Sequence, residues 1–438
     1  MRNNQLIQRA LLVAACGCVG LPVATSAQGL ARESPLQVIQ TREFMRDIEA
    51  RSGVATILRP SVAAVLTQAQ NQLHGADLKG AAQSLQDADL ITEKTPYELH
   101  LIARIKGALA AATTDADEAA RQFEIAAQGP WLSAVDRSAT LQTVAGVYYQ
   151  TRNYARAIVW FDRYFDAGGQ DSDSAMLRAQ SHYLMADFGN AARTLGAEQA
   201  RQSAAGQAPS ETLLKLLADA RLKSGDAAGY TSALELLVQH YPRTEYWRAL
   251  LGRVWTIPAL SARLHLDLLR LQQATGALTE ASNFTDMAAL ALEVGFPTEA
   301  SRIIEQGFAA GVLGQGAAAA QHRQLRDRLK SQSDADRRTL DADAVSARTA
   351  PDGQALFAVG FNMLQVGLGE RGLPLMEQGL AKGVPRNTDL AGLRMLASYA
   401  QMGQRDKAKQ LLASMAGKSQ AVGYAQLLRY WALFLNQA

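Results

Sequence analysis

The sequence predicts an all-α fold of tandem helix–turn–helix repeats. Three observations predict it. Apolar residues recur at three- and four-residue spacing from Leu36 onward, with Gly, Asn or Asp at the breaks, and no convincing alternating strand pattern occurs. Alanine is abundant, roughly 80 of the 438 residues, against 12 prolines, which favours helix. Small residues also return at a period near 34 along most of the chain.

The first segment, residues 1–27, reads as a secretory leader. Arg2 and Arg9 give a positive start with no acid, Ala10 to Val23 is apolar, and Ala24-Thr25-Ser26-Ala27 offers a cleavage site before Gln28. The apolar stretch is shorter than the roughly 20 residues a membrane span needs. A second reading stays open, because Val13-Ala14-Ala15-Cys16 resembles the lipobox of bacterial lipoproteins, in which the Cys is acylated. Both cysteines, Cys16 and Cys18, lie in this segment, so the processed chain would carry no disulfide or thiol chemistry. The expected location is the periplasm, without stable membrane insertion after leader removal. Residues 28–61 follow as a lead-in helix and linker.

Residues 62–242 read as a repeat array. Leu141, Ala145, Tyr148, Tyr154, Ala157 and Phe161 are matched 34 residues later by Ala175, Ala179, His182, Phe188, Ala191 and Leu195. This resembles the tetratricopeptide repeat, in which two small residues let paired helices cross closely. The resemblance implies a right-handed α-superhelix with a concave groove. The second small residue of the unit can be followed as Ala81, Ala119, Ala157, Ala191, Ala233, Ala300, Gly372 and Ala408. The two widest intervals are near twice 34, so a degenerate unit is expected in each. Within the array, Gly196 to Ser210 has few large apolar residues and reads as a surface loop, with Ser210 capping the next helix.

Residues 243–280 read as a degenerate helical connector carrying Tyr246, Trp247 and Trp255. Residues 281–438 read as a second array, with a polar helix near 321–349 whose alternating charges suit a solvated face. Further residues carry a narrower resemblance. His240-Tyr241-Pro242, Tyr246-Trp247, Leu268-Leu269-Arg270-Leu271, Gly295-Phe296-Pro297 and Glu305-Gln306-Gly307 are similar to a group of proteobacterial envelope repeat proteins. Some of those are encoded beside TonB–ExbB–ExbD energy-transduction genes.

Motifs for chemistry are mostly missing. A net charge of +3 without basic blocks argues against nucleic-acid binding. No two of the six histidines stand closer than 24 residues, so no HxxxH or HExxH pair exists, and no GxSxG or GxxxxGK[ST] occurs. Gly367 to Gly372 spells GxGxxG, but a repeat helix precedes it where a dinucleotide site needs a strand, so turn plus helix crossing is the expected role. No catalytic residue, metal or cofactor is expected.

The groove is the remaining candidate site. The tetratricopeptide resemblance places Ala139, Gln142, Gly146 and Tyr149 of one repeat, and Asp173, Met176, Gln180 and Tyr183 of the next, on its concave face. The Lys/Asn clamp that some family members use for a peptide carboxyl terminus is absent. Gln142, Tyr149, Asp173, Met176, Gln180 and Tyr183 are therefore the candidates for a peptide groove, with ordinary packing the competing role for both tyrosines. The expected function is a non-enzymatic periplasmic scaffold for a protein or peptide partner, in a TonB-type system or in envelope assembly or secretion. An enzyme or small-ligand binder would instead need an enclosed polar pocket with convergent titratable groups.

Overall fold

The computed structural model describes residues 56–437 apart from 385 and 387. The leader, both cysteines and residues 28–55 of the lead-in fall outside these residues. Among the described residues there are twenty α-helices and no strand, and successive helices pair as antiparallel hairpins. The expected all-α, tandem-hairpin architecture is the one observed. The helices form two compact units that divide between Tyr230 and Thr231.

The first unit contains α1 (Pro60–His74), α2 (Leu78–Leu90), α3 (Pro96–Ala112), α4 (Ala116–Ala127), α5 (Ala134–Gln150), α6 (Tyr154–Asp166), α7 (Ser172–Leu184), α8 (Phe188–Ala204) and α9 (Glu211–Lys223). The unit boundary falls within α10 (Ala227–His240). One turn joins the helices of the successive hairpins. A residue in the left-handed region closes the first helix, and the next residue caps the second. The pairs are Ala76–Asp77, Thr114–Asp115, Arg152–Asn153, Ala186–Asp187 and Gly225–Asp226. Each acidic or amide side chain accepts from the backbone N–H three residues on, which satisfies one of the free donors of the helix start. Left-handed backbone is costly for non-glycine residues, so Ala76, Thr114, Arg152 and Ala186 hold it only because the cap and the hairpin packing demand it.

Four residues past the cap comes the small residue that the sequence marked. Ala81, Ala119, Ala157 and Ala191 are fully buried on α2, α4, α6 and α8, where the second helix crosses the first. The register shifts at the next hairpin. Ala233 is equally buried but stands seven residues past Asp226, and the position equivalent to the earlier alanines is Tyr230.

The loop expected over Gly196 to Ser210 is mostly helix instead. Its Ala, Gln, Glu and Arg residues are good helix formers, and α8 runs on to Ala204. Glu198, 6% exposed, anchors the extension through Arg201, Gln202 and Ser172 of α7. Only residues 205–210 remain as the loop, and Ser210 caps α9 by accepting from Leu213 N–H.

The second unit continues with α11 (Thr244–Val254), a 3₁₀ turn at Ala262–Leu264, α12 (His265–Ala274), α13 (Ala281–Glu293), α14 (Pro297–Ala309) and α15 (Ala319–Thr349). It ends with α16 (Gln354–Gln365), α17 (Gly369–Lys382), α18 (Thr388–Gln401), α19 (Arg405–Ala413) and α20 (Tyr424–Leu435). Of the two wide intervals, the first holds the pair α11 and α12. The second holds a single 31-residue helix, α15, in place of a hairpin. Its few inward residues reach two clusters: Leu329 packs with α13 and α14, while Leu340, Ala344 and Ala347 pack with α16 and α17.

The α16–α17 pair is the tightest in the unit, and glycine is the reason. A Cβ on Gly372 would lie 2.3 Å from the Gly360 carbonyl oxygen, and one on Gly379 would lie 2.8 Å from that of Gly353. Backbone meets backbone at these two levels. Gly367, at φ +85°, forms the turn. The GxGxxG run is thus a hairpin turn followed by a helix crossing.

The end of the second unit returns to its beginning. Trp247 of α11 meets Phe434 of α20 edge to face with centroids 6.4 Å apart. Arg429 pairs with Glu235, Arg263 pairs with Asp389 at 3.1 Å, and Ser261 N–H donates to the Val422 carbonyl. Helix α18 packs directly on α12. Among the described residues no helix is long and apolar enough to cross a membrane.

Candidate functional site

The groove candidates of the first unit form one row across α5, α7 and α9. Gln142 donates from Nε2 to Asp171 Oδ2 at 3.1 Å and to Ser174 Oγ at 2.9 Å. Seven residues on, Tyr149 donates its hydroxyl to Gln180 Oε1 at 2.8 Å. Tyr183 repeats that role one hairpin later, donating to Asp219 of α9 and accepting from Lys223. Each tyrosine also meets an aromatic ring five residues on, Tyr154 and Phe188 respectively. Among the six candidates, Tyr149 and Gln180 are bonded to each other, while Gln142 and Tyr183 bond to other residues of the neighbouring first helices.

Both tyrosines are half-buried, and they differ in what packs on them. Tyr149 packs against the cluster of Tyr148, Ala157 and Phe161, and burial pushes its hydroxyl up to about 12. It is chiefly a packing residue. Tyr183 is half-buried, with Lys223 Nζ 4.7 Å over its ring. Burial raises its hydroxyl above the ordinary tyrosine range, and the bond to Asp219 adds to this. Asp173 is exposed, Met176 is half-buried, and a Cβ on Gly146 would meet open space. Asp173 is thus the one exposed candidate, and Gln142, Tyr149, Met176, Gln180 and Tyr183 are all half-buried.

The second unit contains a site that the sequence reading did not find. A cavity of about 240 Å³ lies among α12, α14, α16, α18 and α20. Arg270 stands at its wall, 4% exposed, and donates from Nε and Nη2 to the two oxygens of Glu299 at 2.8 and 2.7 Å. Its Nη1 donates to Asp267 Oδ1 at 2.7 Å. Burial opposes ionisation of Glu299, but the Arg270 charge outweighs it and holds this carboxyl below its usual range. At Asp267 burial prevails and the carboxyl is raised.

Two further guanidinium groups lie in this region. Arg302 donates from Nε to Gln365 Oε1 at 2.7 Å and from Nη2 to Gln273 Oε1 at 3.3 Å. Arg394 lies 4.3 Å over Phe296 and 5.3 Å over Phe361, and its Nε has no acceptor among the described residues. Burial lowers both, Arg394 to about 10. Phe361, Trp431, Phe434 and Ala397 complete the apolar wall. Trp431 is 1% exposed, and its indole N–H has no acceptor among the described residues.

The signal for this site was faint in sequence. Arg270 fell inside a stretch noted for another reason, and its pairing with Glu299 joins residues 29 apart on different helices. Trp431 and Phe434 lie more than 160 residues from Arg270, and no local spacing announces that they share a wall.

No family profile matches the chain, and no curated protein matches it. Solved structures do. Similar structures include Naa15/Naa10 bound to HypK-THB, at 14% identity over 94% of this chain and 68% of that one, with a TM-score of 0.28. The pentatricopeptide repeat protein PPR10 from maize also matches at 14% identity, over 94% of this chain and 66% of its own, with a TM-score of 0.31. NprR in complex with its cognate peptide NprX matches at 11% identity over 86% and 98%, with a TM-score of 0.21. The chain spans about two thirds of the length of the first two. Its fold class rests on the twenty helices among the described residues and their pairing as hairpins.

Proposed function

We propose that this chain is a non-enzymatic helical-repeat scaffold that holds a protein or peptide partner on the first-helix row of its first unit. One observation carries the reading. Successive first helices are tied by Gln142–Ser174, Tyr149–Gln180 and Tyr183–Asp219, so the surface between them is ordered before any partner arrives. A preorganised face of this kind lowers the ordering cost of binding. Asp173, Met176 and Tyr183 offer a carboxylate, a soft apolar side chain and an aromatic hydroxyl on that face, and aromatic residues are frequent anchors of interfaces.

The leader-like segment 1–27 supports placing this activity in the periplasm, with acylation at Cys16 as the alternative. The resemblance of residues 240–307 to envelope repeat proteins supports a TonB-type transport system as the first partner class to test. Envelope assembly or secretion is the second.

The test is crosslinking in intact cells, followed by purification of the tagged chain and identification of bound proteins. A double variant, Asp173→Lys with Tyr183→Ala, is expected to lose the captured partner while its circular dichroism stays that of the parent. Recovery of TonB-system proteins supports the first partner class, and recovery of assembly or secretion components supports the second. Unchanged capture by the folded double variant sinks the proposed surface.

A further inference from the structure

We propose that the cavity of the second unit is a binding site for a carboxylate carried on a small apolar body. This rests on residues 267–434 alone and is independent of the surface proposed for the first unit.

The charges in the site do not cancel. Arg270, Arg302 and Glu299 line the cavity, and Arg394 and Asp267 lie beyond the lining, close enough to act on the same groups, so three guanidinium groups stand against two carboxylates. Both carboxylates are hydrogen-bonded to Arg270. Arg302 has only the neutral amide oxygens of Gln365 and Gln273 as hydrogen-bond acceptors among the described residues. Those two bonds orient its plane and use two of its five N–H groups, and the fork that remains suits the two oxygens of a carboxylate. Arg302 is half-buried at the cavity wall, so its unmatched charge is partly open to solvent and within reach of an anionic ligand.

Size and walls narrow the ligand. At roughly 30 Å³ per water, a cavity of about 240 Å³ holds the equivalent of about eight waters, room for one amino-acid-sized body. Phe361, Trp431, Phe434, Ala274, Ala397 and Ala400 line it with apolar surface. The single excess positive charge matches a monoanion, whereas a phosphate group near −2 would bring a second charge with no partner. Trp431 contributes ring surface to the wall, while its unpartnered indole N–H is itself shielded from the cavity. Two sources could supply such a group: a free carboxylic acid, or the terminal carboxylate of a peptide.

The experiment is calorimetry on the purified chain with 3-phenylpropanoate and 4-methylpentanoate, each beside its neutral amide. The tetrapeptide Ala-Ala-Ala-Phe, with its carboxyl terminus free or amidated, forms the second arm. Both acids are expected to bind at least about tenfold more tightly than their amides. Arg302→Gln should weaken acid binding by a similar factor, and Ala400→Leu, which fills the cavity, should abolish it. Binding by the free-carboxyl tetrapeptide as well assigns the site to a chain terminus, and binding by the free acids alone assigns it to a small molecule. Equal binding of acids and amides overturns the proposal, as does no binding of any acid or free-carboxyl peptide at millimolar concentration. Full binding by Ala400→Leu also overturns it. If Arg302→Gln does not fold, the acid–amide comparison and Ala400→Leu still decide.

Discussion

His100 was only one of six scattered histidines in the sequence, with no neighbour to suggest a role. In the structure it is 3% exposed on α3, its Nδ1 lies 2.8 Å from the Ala126 carbonyl oxygen, and its ring faces Trp131. Burial dominates and lowers its pKa to about 4, the Ala126 contact opposing and the nearby Arg104 charge assisting. A histidine lowered in the folded state takes up its proton more readily when unfolded. Its burial therefore costs nothing above pH 6.5 and destabilises progressively as pH falls from 6.5 toward 4. The full effect is on the order of 3 kcal/mol. NMR titration of the His100 ring should show a neutral imidazole at pH 5.5, and His100→Gln should flatten the fall in urea stability over that interval. A ring that titrates near 6.5 would refute this. His182 is half-buried, and its Nδ1 lies 3.0 Å from Asp187, the residue that caps the next helix.

At the scale of helices, the small residue at each crossing is the feature that the sequence announced most clearly. Ala81, Ala119, Ala157, Ala191, Ala300 and Ala408 are all fully buried, and each stands four residues past its helix cap. The capping residues Asp77, Asp115, Asn153, Asp187 and Asp226 recur at nearly the same period, a signal as regular as the alanines and visible in the sequence. Gly372 is the extreme case, because its would-be Cβ meets a carbonyl oxygen and not a flexible side chain. Gly372→Ala must therefore separate α16 and α17. Overpacking of this kind costs about 1–3 kcal/mol, and backbone contact puts it at the upper end. Thermal denaturation should show a lowered midpoint, whereas Gly189→Ala, whose added Cβ meets open space on α8, should leave it unchanged or raise it. Equal effects of the two variants would refute the close crossing.

At the scale of a whole unit, the second differs from a stack that touches only neighbours. In such a stack the terminal helix contributes only its own interface. Here α20 meets α11 through Trp247 and Phe434, bonds through Arg429 to Glu235, and supplies Trp431 and Phe434 to the cavity. A chain ending at Lys418 should lose more than one interface. We expect its midpoint to fall by roughly 10 °C or more, with Trp247 becoming accessible to fluorescence quenchers. A midpoint within a few degrees of the parent would mean that α20 is an appendage.

The sequence by itself determined the fold class, the position of nearly every hairpin and the small residues at their crossings. These are local matters: a period of three to four residues sets each helix, and a crossing admits only a small side chain at a fixed distance from the turn. It also showed Tyr149 and Tyr183 as equivalent positions 34 residues apart, and in the structure each donates its hydroxyl to the next first helix. Only the tertiary structure decided that α8 runs through Gly196 to Ala204, where buried Glu198 holds a stretch too poor in large apolar residues to read as packed. Only the structure brought Arg270, Glu299, Arg302 and Trp431 to one cavity. Arg270, Glu299 and Arg302 meet between α12 and α14, whereas Trp431 joins them only because α20 returns to the start of the unit, and side chains separated by more than a hundred residues leave no mark in any local pattern.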